Sequence, residues 1–152
     1  MANKYLVAAA VLFVAAALAH VGCIVFGGDW YRLLGAGEQM AQMAEAGLWY
    51  PTVVTGAIVL LLLLWAMFSL SGANVVKRLP FTRVALVAIA SILLLRAVAF
   101  LWLMPMFPGN SMTFWWVSSA VCLLMGALVA LGTYQRWHSM SGNDYVTRRS
   151  DL

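Results

Sequence analysis

Charge is the scarcest property of this chain. Only 9% of its 152 residues are Asp, Glu, Lys or Arg, against ~25% in a soluble domain. So little charge excludes a disordered segment, which is held open by charge and polarity. It also excludes a nucleic-acid module, which needs clustered basic side chains for phosphate contacts. Cysteine is scarce too. Cys23 and Cys122 form no CxxC, so neither a zinc site nor a thioredoxin-type pair is indicated. Each lies in an apolar run and reads as a small buried thiol. A disulfide between them would require two helices to touch there. Of the four prolines, Pro51 opens an apolar run and Pro80, Pro105 and Pro108 stand in links or at a run's end.

What is abundant is apolar surface. Hydrophobic residues make up 64% of the chain, against ~45–50% in soluble domains, which excludes a water-soluble globule. The apolar residues fall into four runs, about 5–26, 52–72, 84–104 and 113–134. Each is long enough to cross a hydrocarbon core of ~30 Å at ~1.5 Å per residue. In lipid a backbone must satisfy its polar groups internally, so such runs are expected as helices. The first run has the outline of a signal peptide, with Lys4 ahead of it and Ala17-Leu18-Ala19 inside. It stays apolar to Phe26, too long for that purpose, and reads as an ordinary span.

Charge placement sets the expected orientation. Lys4, Lys77, Arg78, Arg83, Arg136, Arg148 and Arg149 flank one side of the spans, while Arg32 alone stands on the other beside Asp29, Glu38 and Glu45. By the positive-inside rule both termini face the cytoplasm. The short links around Pro80 and around Pro105, Pro108 and Gly109 force neighbouring spans to run antiparallel. The expected fold is therefore an all-α integral membrane protein of the bacterial inner (plasma) membrane, an antiparallel four-helix bundle over 1–138. Residues 139–152 read as a flexible cytoplasmic tail. Trp49, Tyr50, Trp102 and Phe114–Trp116 form an outer aromatic belt.

The link from 27 to 51 is too long for a turn. Asp29 is a good N-cap, apolar residues recur at helical spacing from Trp30, and Gly47 is a stop. One short amphipathic helix over about 30–46 is predicted at the outer surface, weakened at Gly35 and Gly37. Small residues recur on one stripe of each span, as close helix packing in lipid requires. The stripes, expected in the bundle interior, run through Ala9, Phe13, Ala16 and His20 in the first, Thr55, Leu62 and Ala66 in the second, Ala85, Ile89, Ile92 and Arg96 in the third, and Trp115, Ser119, Cys122 and Gly126 in the fourth.

Polar groups then carry the functional reading. Arg96 lies inside the third run, where an arginine costs ~2.5–3.5 kcal/mol even on permissive insertion scales. It needs either a partner that fixes helix packing or a site open to the outside. His20, Thr55, Ser118, Ser119 and Cys122 fall at similar depth, in the outer half of the bundle, while the inner half is Leu, Val and Ala. That asymmetry describes an outward pocket and no pore. The expectation is a site for an anionic or amphipathic small ligand or a lipid headgroup. Arg96 attracts the charge, His20, Thr55 and Ser119 orient the ligand, and Glu38 pairs with Arg96 or gates the mouth.

Two other readings belong beside it. Met40, Met43, Met104 and Met106 lie on the outer side and could hold a soft metal such as Cu(I), although methionine is also adaptable filler. Alternatively the chain is a structural or assembly subunit of a larger membrane complex, or a homo-oligomer, with Arg96 as internal glue. No nucleophile–base pair or carboxylate dyad stands at useful spacing, so an enzyme is the less favoured reading, and no cofactor is specified. The expected partners are the lipid bilayer and a lipid or small anion.

Overall fold

The computed structural model describes residues 1–106 and 110–140. The expected turn at Pro108 and Gly109, and the expected tail beyond Met140, lie outside the described residues. The described residues form helices and no strand: α1 (Lys4–Phe26), α2 (Gly28–Leu33), α3 (Glu38–Glu45), α4 (Trp49–Gly72), α5 (Thr82–Val98), α6 (Phe100–Leu103), a 3-10 turn (Met104–Met106) and α7 (Met112–Arg136).

α1, α4 and α7 are long and apolar enough to cross a membrane, and α5 with α6 makes a fourth candidate if that bent pair is one span. Their ends are set locally. Asn3 caps α1 by accepting from the Tyr5 and Leu6 amides, both at 3.1 Å. Ser111 caps α7 by accepting from the Phe114 amide at 3.1 Å. Pro51 sits in the first turn of α4, where its missing N–H has no helical partner to lose.

Two expectations from the sequence need correction. The continuous span over 84–104 is broken: α5 holds 17 residues, and the segment from Phe100 to Met106 turns away by 58°. Past the break the Trp102 and Leu103 amides both bond the Ala99 carbonyl, at 3.1 and 3.0 Å, so the ladder restarts instead of continuing. Pro105, with no N–H to extend an α-helix, lies in the 3-10 turn that ends the segment. The single surface helix over 30–46 is two helices, because Gly35 and Gly37 take φ of +72° and +93°. That left-handed backbone suits glycine and interrupts a right-handed helix.

The helices pack around one core. α1 lies mainly against α4 and α5 mainly against α7, with α1–α7 and α4–α5 contacts joining the two pairs. Leu6, Phe13, Leu86 and Val129 are fully buried there among alanines, and Phe13 meets Trp65 edge to face at 5.7 Å. α5 and α7 approach closely because Gly126 has no side chain; a Cβ there would come within 3.0 Å of Leu94 and 3.1 Å of Leu93. The buried face of α5 is Leu86, Ile89, Ala90, Leu93 and Ala97. It is rotated from the expected stripe, leaving Ile92 51% exposed and Arg96 at the edge of the core. Only 22–33% of the apolar windows of α1, α4 and α7 is buried. Leu18, Val25, Leu60 and Leu124 are among the large apolar residues left outside.

At the acidic end, α2 and α3 fold over the bundle. Tyr31 is buried to 2% exposure among Cys23 and Ala41, and Trp30 lies so close to Gly22 that a Cβ there would meet its ring at 2.4 Å. At the basic end, the Asn3 amide bonds the Ala73 carbonyl at 3.2 Å and its side chain donates to Gln135 Oε1 at 2.9 Å. These bonds tie the start of α1 to the ends of α4 and α7. Met140 also packs against the core.

Candidate functional site

A cavity of about 510 Å³ lies between α1, α4, α5 and α7 and is closed on one side by the end of α2. Its polar lining is His20, Arg96, Ser118 and Cys122; its apolar lining includes Leu34, Ile58, Leu62, Leu93 and Phe114. The volume falls within the ~300–1,000 Å³ of ordinary small-molecule sites, which combine apolar walls with a few polar groups.

Arg96 stands in the last turn of α5, where its charge complements the helix C-terminus. Its Nη2 donates to Ser118 Oγ at 3.2 Å. Its guanidinium carbon lies 5.5 Å from the centre of the buried Trp115 ring, within cation–π range. Its Nη1 is buried and has no hydrogen-bond partner. Among the described residues no carboxylate pairs with Arg96: the salt bridges found there all belong to Arg32. A guanidinium that makes one side-chain hydrogen bond retains donor capacity for a further acceptor.

His20 shares the cavity wall. Its Nδ1 lies 2.8 Å from the Ala16 carbonyl. A carbonyl oxygen only accepts, so Nδ1 carries a proton in this contact and Nε2 is left for another partner. Guanidinium, imidazole, hydroxyl and thiol are thus grouped around one apolar chamber.

Glu38 does not serve Arg96. Arg32 Nε and Nη2 both reach its carboxylate at 2.8 Å, and Arg32 Nη1 reaches Glu45 at 2.6 Å and Asp29 at 3.3 Å. One arginine therefore gathers the three acidic residues of the 27–51 link and pins α2 to α3. Hydrogen bonds from Arg32 hold the Glu38 and Glu45 carboxyls below their ordinary range, and the same bonds raise Arg32 further above its own. Beside this clamp, Asn110 Nδ2 bonds the Gly35 carbonyl at 3.0 Å and Phe114 packs against Gly35. The clamp thus stands next to the segment that closes the cavity.

The remaining expected site residues lie elsewhere. Thr55 is buried and donates to Tyr31 Oη at 3.2 Å, holding α2 to α4 outside the cavity lining. Ser119 is 7% exposed with its hydroxyl unpartnered; its neighbour Ser118, one helical step round, is the serine that meets Arg96. Met40, Met43, Met104 and Met106 do not line the cavity. Met40 packs in the small cluster around Tyr31, and Met106 is 70% exposed. Among the described residues no group of three or more His, Cys, Asp or Glu is arranged to hold a metal ion. Cys23 and Cys122 are both free thiols.

Sequence reasoning passed over Tyr31 and gave Ser118 no role. Tyr31 follows Trp30 on the apolar side of the 27–51 link, and an aromatic hydroxyl buried beside an apolar span needs an acceptor or donor. Ser118 falls on the stripe Trp115–Ser118–Cys122, which faces Arg96 as well as the stripe through Ser119 does by spacing alone. No protein-family model, curated protein or solved structure matches the chain.

Proposed function

We propose that this is a small integral membrane protein whose cavity binds an amphipathic molecule by its single anionic group. The apolar outer faces of α1, α4 and α7 support insertion. α5 with α6 is the remaining span, giving an antiparallel four-span bundle. The basic link and both termini face the cytoplasm, and α2 and α3 lie on the outer side of a bacterial inner membrane. In this reading Arg96 holds the anion, Ser118 donates to it, His20 Nε2 accepts from the acid hydroxyl of a singly ionised phosphate, and Leu34, Ile58 and Leu62 enclose an alkyl chain. The observation that carries the reading is the buried Arg96 Nη1, without a partner, on a guanidinium that lines a cavity and has no carboxylate beside it among the described residues.

The test compares dodecyl phosphate with dodecanol as probes of the full chain in a non-ionic detergent, by isothermal titration. A charge-assisted hydrogen bond contributes ~1.5–3 kcal/mol, so Arg96→Ala should weaken dodecyl phosphate binding roughly tenfold to a hundredfold. Dodecanol binding should change little. Lys4→Gln, which removes the same charge at the exposed start of α1, should leave both unchanged. Equal losses in the two variants would exclude Arg96 as the anion site.

A further inference from the structure

A second cavity, on the other side of the α5–α7 contact, has no part in the reading above. It is a groove of about 500 Å³ between the middle of α5 and the last third of α7. Leu86, Val87, Ala90, Leu94, Ala130 and Tyr134 supply its walls, and the two alanines leave its floor low. Thr133 also lines it; that residue is 4% exposed and its Oγ1 is buried with no hydrogen-bond partner. At one end Trp137 lies beneath the Arg83 guanidinium, 3.3 Å from ring centre to carbon. Beyond that stack a second hollow, of about 370 Å³, is lined by Arg78, Thr82 and Arg83.

Charge and length select the occupant. Lys77, Arg78, Arg83 and Arg136 collect at this end, whereas the acidic residues among the described residues, Asp29, Glu38 and Glu45, sit at Arg32 on the far side of the bundle. From Leu86 to Leu94 the groove runs about 12 Å along α5. That is most of one leaflet's share of a ~30 Å hydrocarbon core. It begins at the arginines and is mostly apolar from there inward, with the hydroxyls of Ser91 and Thr133 in its lining.

We infer that the α5–α7 groove is a binding site for an anionic phospholipid of the basic-side leaflet. The phosphate lies at Arg78 and Arg83, the glycerol region at Tyr134 and Trp137, and one acyl chain over Ala90 and Ala130. Thr133 Oγ1 donates to an ester oxygen of the lipid. The site depends on α5 and α7 being membrane spans and is independent of ligand binding at Arg96.

The experiment uses the full chain, stripped of lipid in a mild detergent and titrated with dioleoylphosphatidylglycerol or dioleoylphosphatidylcholine, with bound lipids counted by native mass spectrometry. One phosphatidylglycerol should be retained in preference to phosphatidylcholine. Each arginine near an anionic headgroup is worth about fivefold, so the preference should be about twenty-five-fold and should vanish in Arg78→Gln/Arg83→Gln. No preference in the parent protein, or a preference that survives the double substitution, overturns the assignment. Should the double variant lose its helical circular dichroism, Ala130→Phe decides, since it fills the groove and leaves every charge in place. It must release the lipid, and retention overturns the proposal. Arg96→Met, which removes only the anion site of the other cavity, must keep the preference that Arg78 and Arg83 confer; a preference lost there would assign the lipid to the other cavity.

Discussion

Replacing Arg96 by methionine should make the ligand-free protein more stable while removing its affinity for the anion. Methionine keeps the length of the side chain and removes its charge. If α5 with α6 spans the membrane as we propose, the relief is the cost of an arginine within an apolar span, ~2.5–3.5 kcal/mol on insertion scales. Against it stand the bond to Ser118, at 3.2 Å a long one and worth ~1 kcal/mol, and the contact with Trp115 at 5.5 Å, worth about 0.5 kcal/mol. Ser118 is left without penalty, because a helical serine turns its hydroxyl to the carbonyl four residues back. The balance is a gain of about 1–2 kcal/mol, which in a chain of this size raises the unfolding midpoint by roughly 2–8 °C. The assay is thermal unfolding followed at 222 nm in delipidated detergent, since a bound ligand would stabilise the parent alone. Adding dodecyl phosphate should then raise the midpoint of the parent and not of the variant. Were Arg96 a structural clamp between helices, its removal would cost ~3–5 kcal/mol, as a broken buried ion pair does. A midpoint that falls by that amount refutes the argument.

Three further outcomes test the frame around the cavity. Thr55→Val strands the buried Tyr31 hydroxyl and should cost ~1–3 kcal/mol in the same unfolding assay, whereas Thr55→Ser should restore most of the loss. Gly35→Ala places a Cβ 2.0 Å from Phe114 Cζ at a φ of +72°. The backbone alone should cost about 1–2 kcal/mol, and the second variant Phe114→Ala should recover the steric part and none of the backbone part. Glu38 and Glu45 have lowered carboxyl pKa values, so the clamp on Arg32 is complete above the ordinary 4.5 and is lost as pH falls through the lowered values. Amide protection factors over 28–46, which remove the intrinsic pH dependence of exchange, should therefore fall as pH drops through the lowered values and lose that dependence in Arg32→Gln; protection in the parent that does not change with pH would count against the clamp.

Which features were legible in the sequence follows from the range of the interaction that fixes them. The apolar runs and the polar band at the depth of Arg96 are composition along single helices, and His20 and Arg96 do line one chamber. The choice between Ser118 and Ser119 is a rotation of one residue about α7, which spacing alone does not resolve. Thr55 was assigned to the ligand because its partner, Tyr31, lies 24 residues away in a link. The bend at Ala99 carries no mark of its own, since Pro105 stands six residues further on. Gly35 and Gly37 were visible as weak points, but the positive φ that divides α2 from α3 depends on Phe114 and Asn110 from the far end of the chain.

The two arginines outside the basic end explain each other. Arg32 has three carboxylates within 3.3 Å, more negative charge than it can neutralise, and it is exposed where water screens the excess. Arg96 is half-buried with its Nη1 out of contact with water, and it has none of them. If stability alone governed the arrangement, a carboxylate would be worth far more at the second position than at the first. Placing all three at the surface fixes α2 and α3 over the bundle and, in the function we propose, leaves the half-buried guanidinium to be completed by a ligand. A carboxylate introduced beside it, as in Ser118→Asp, would satisfy Arg96 internally and close the site. That variant should fold at least as well as the parent and lose dodecyl phosphate binding as fully as Arg96→Ala does. Retained binding by Ser118→Asp would mean that the anion is held elsewhere.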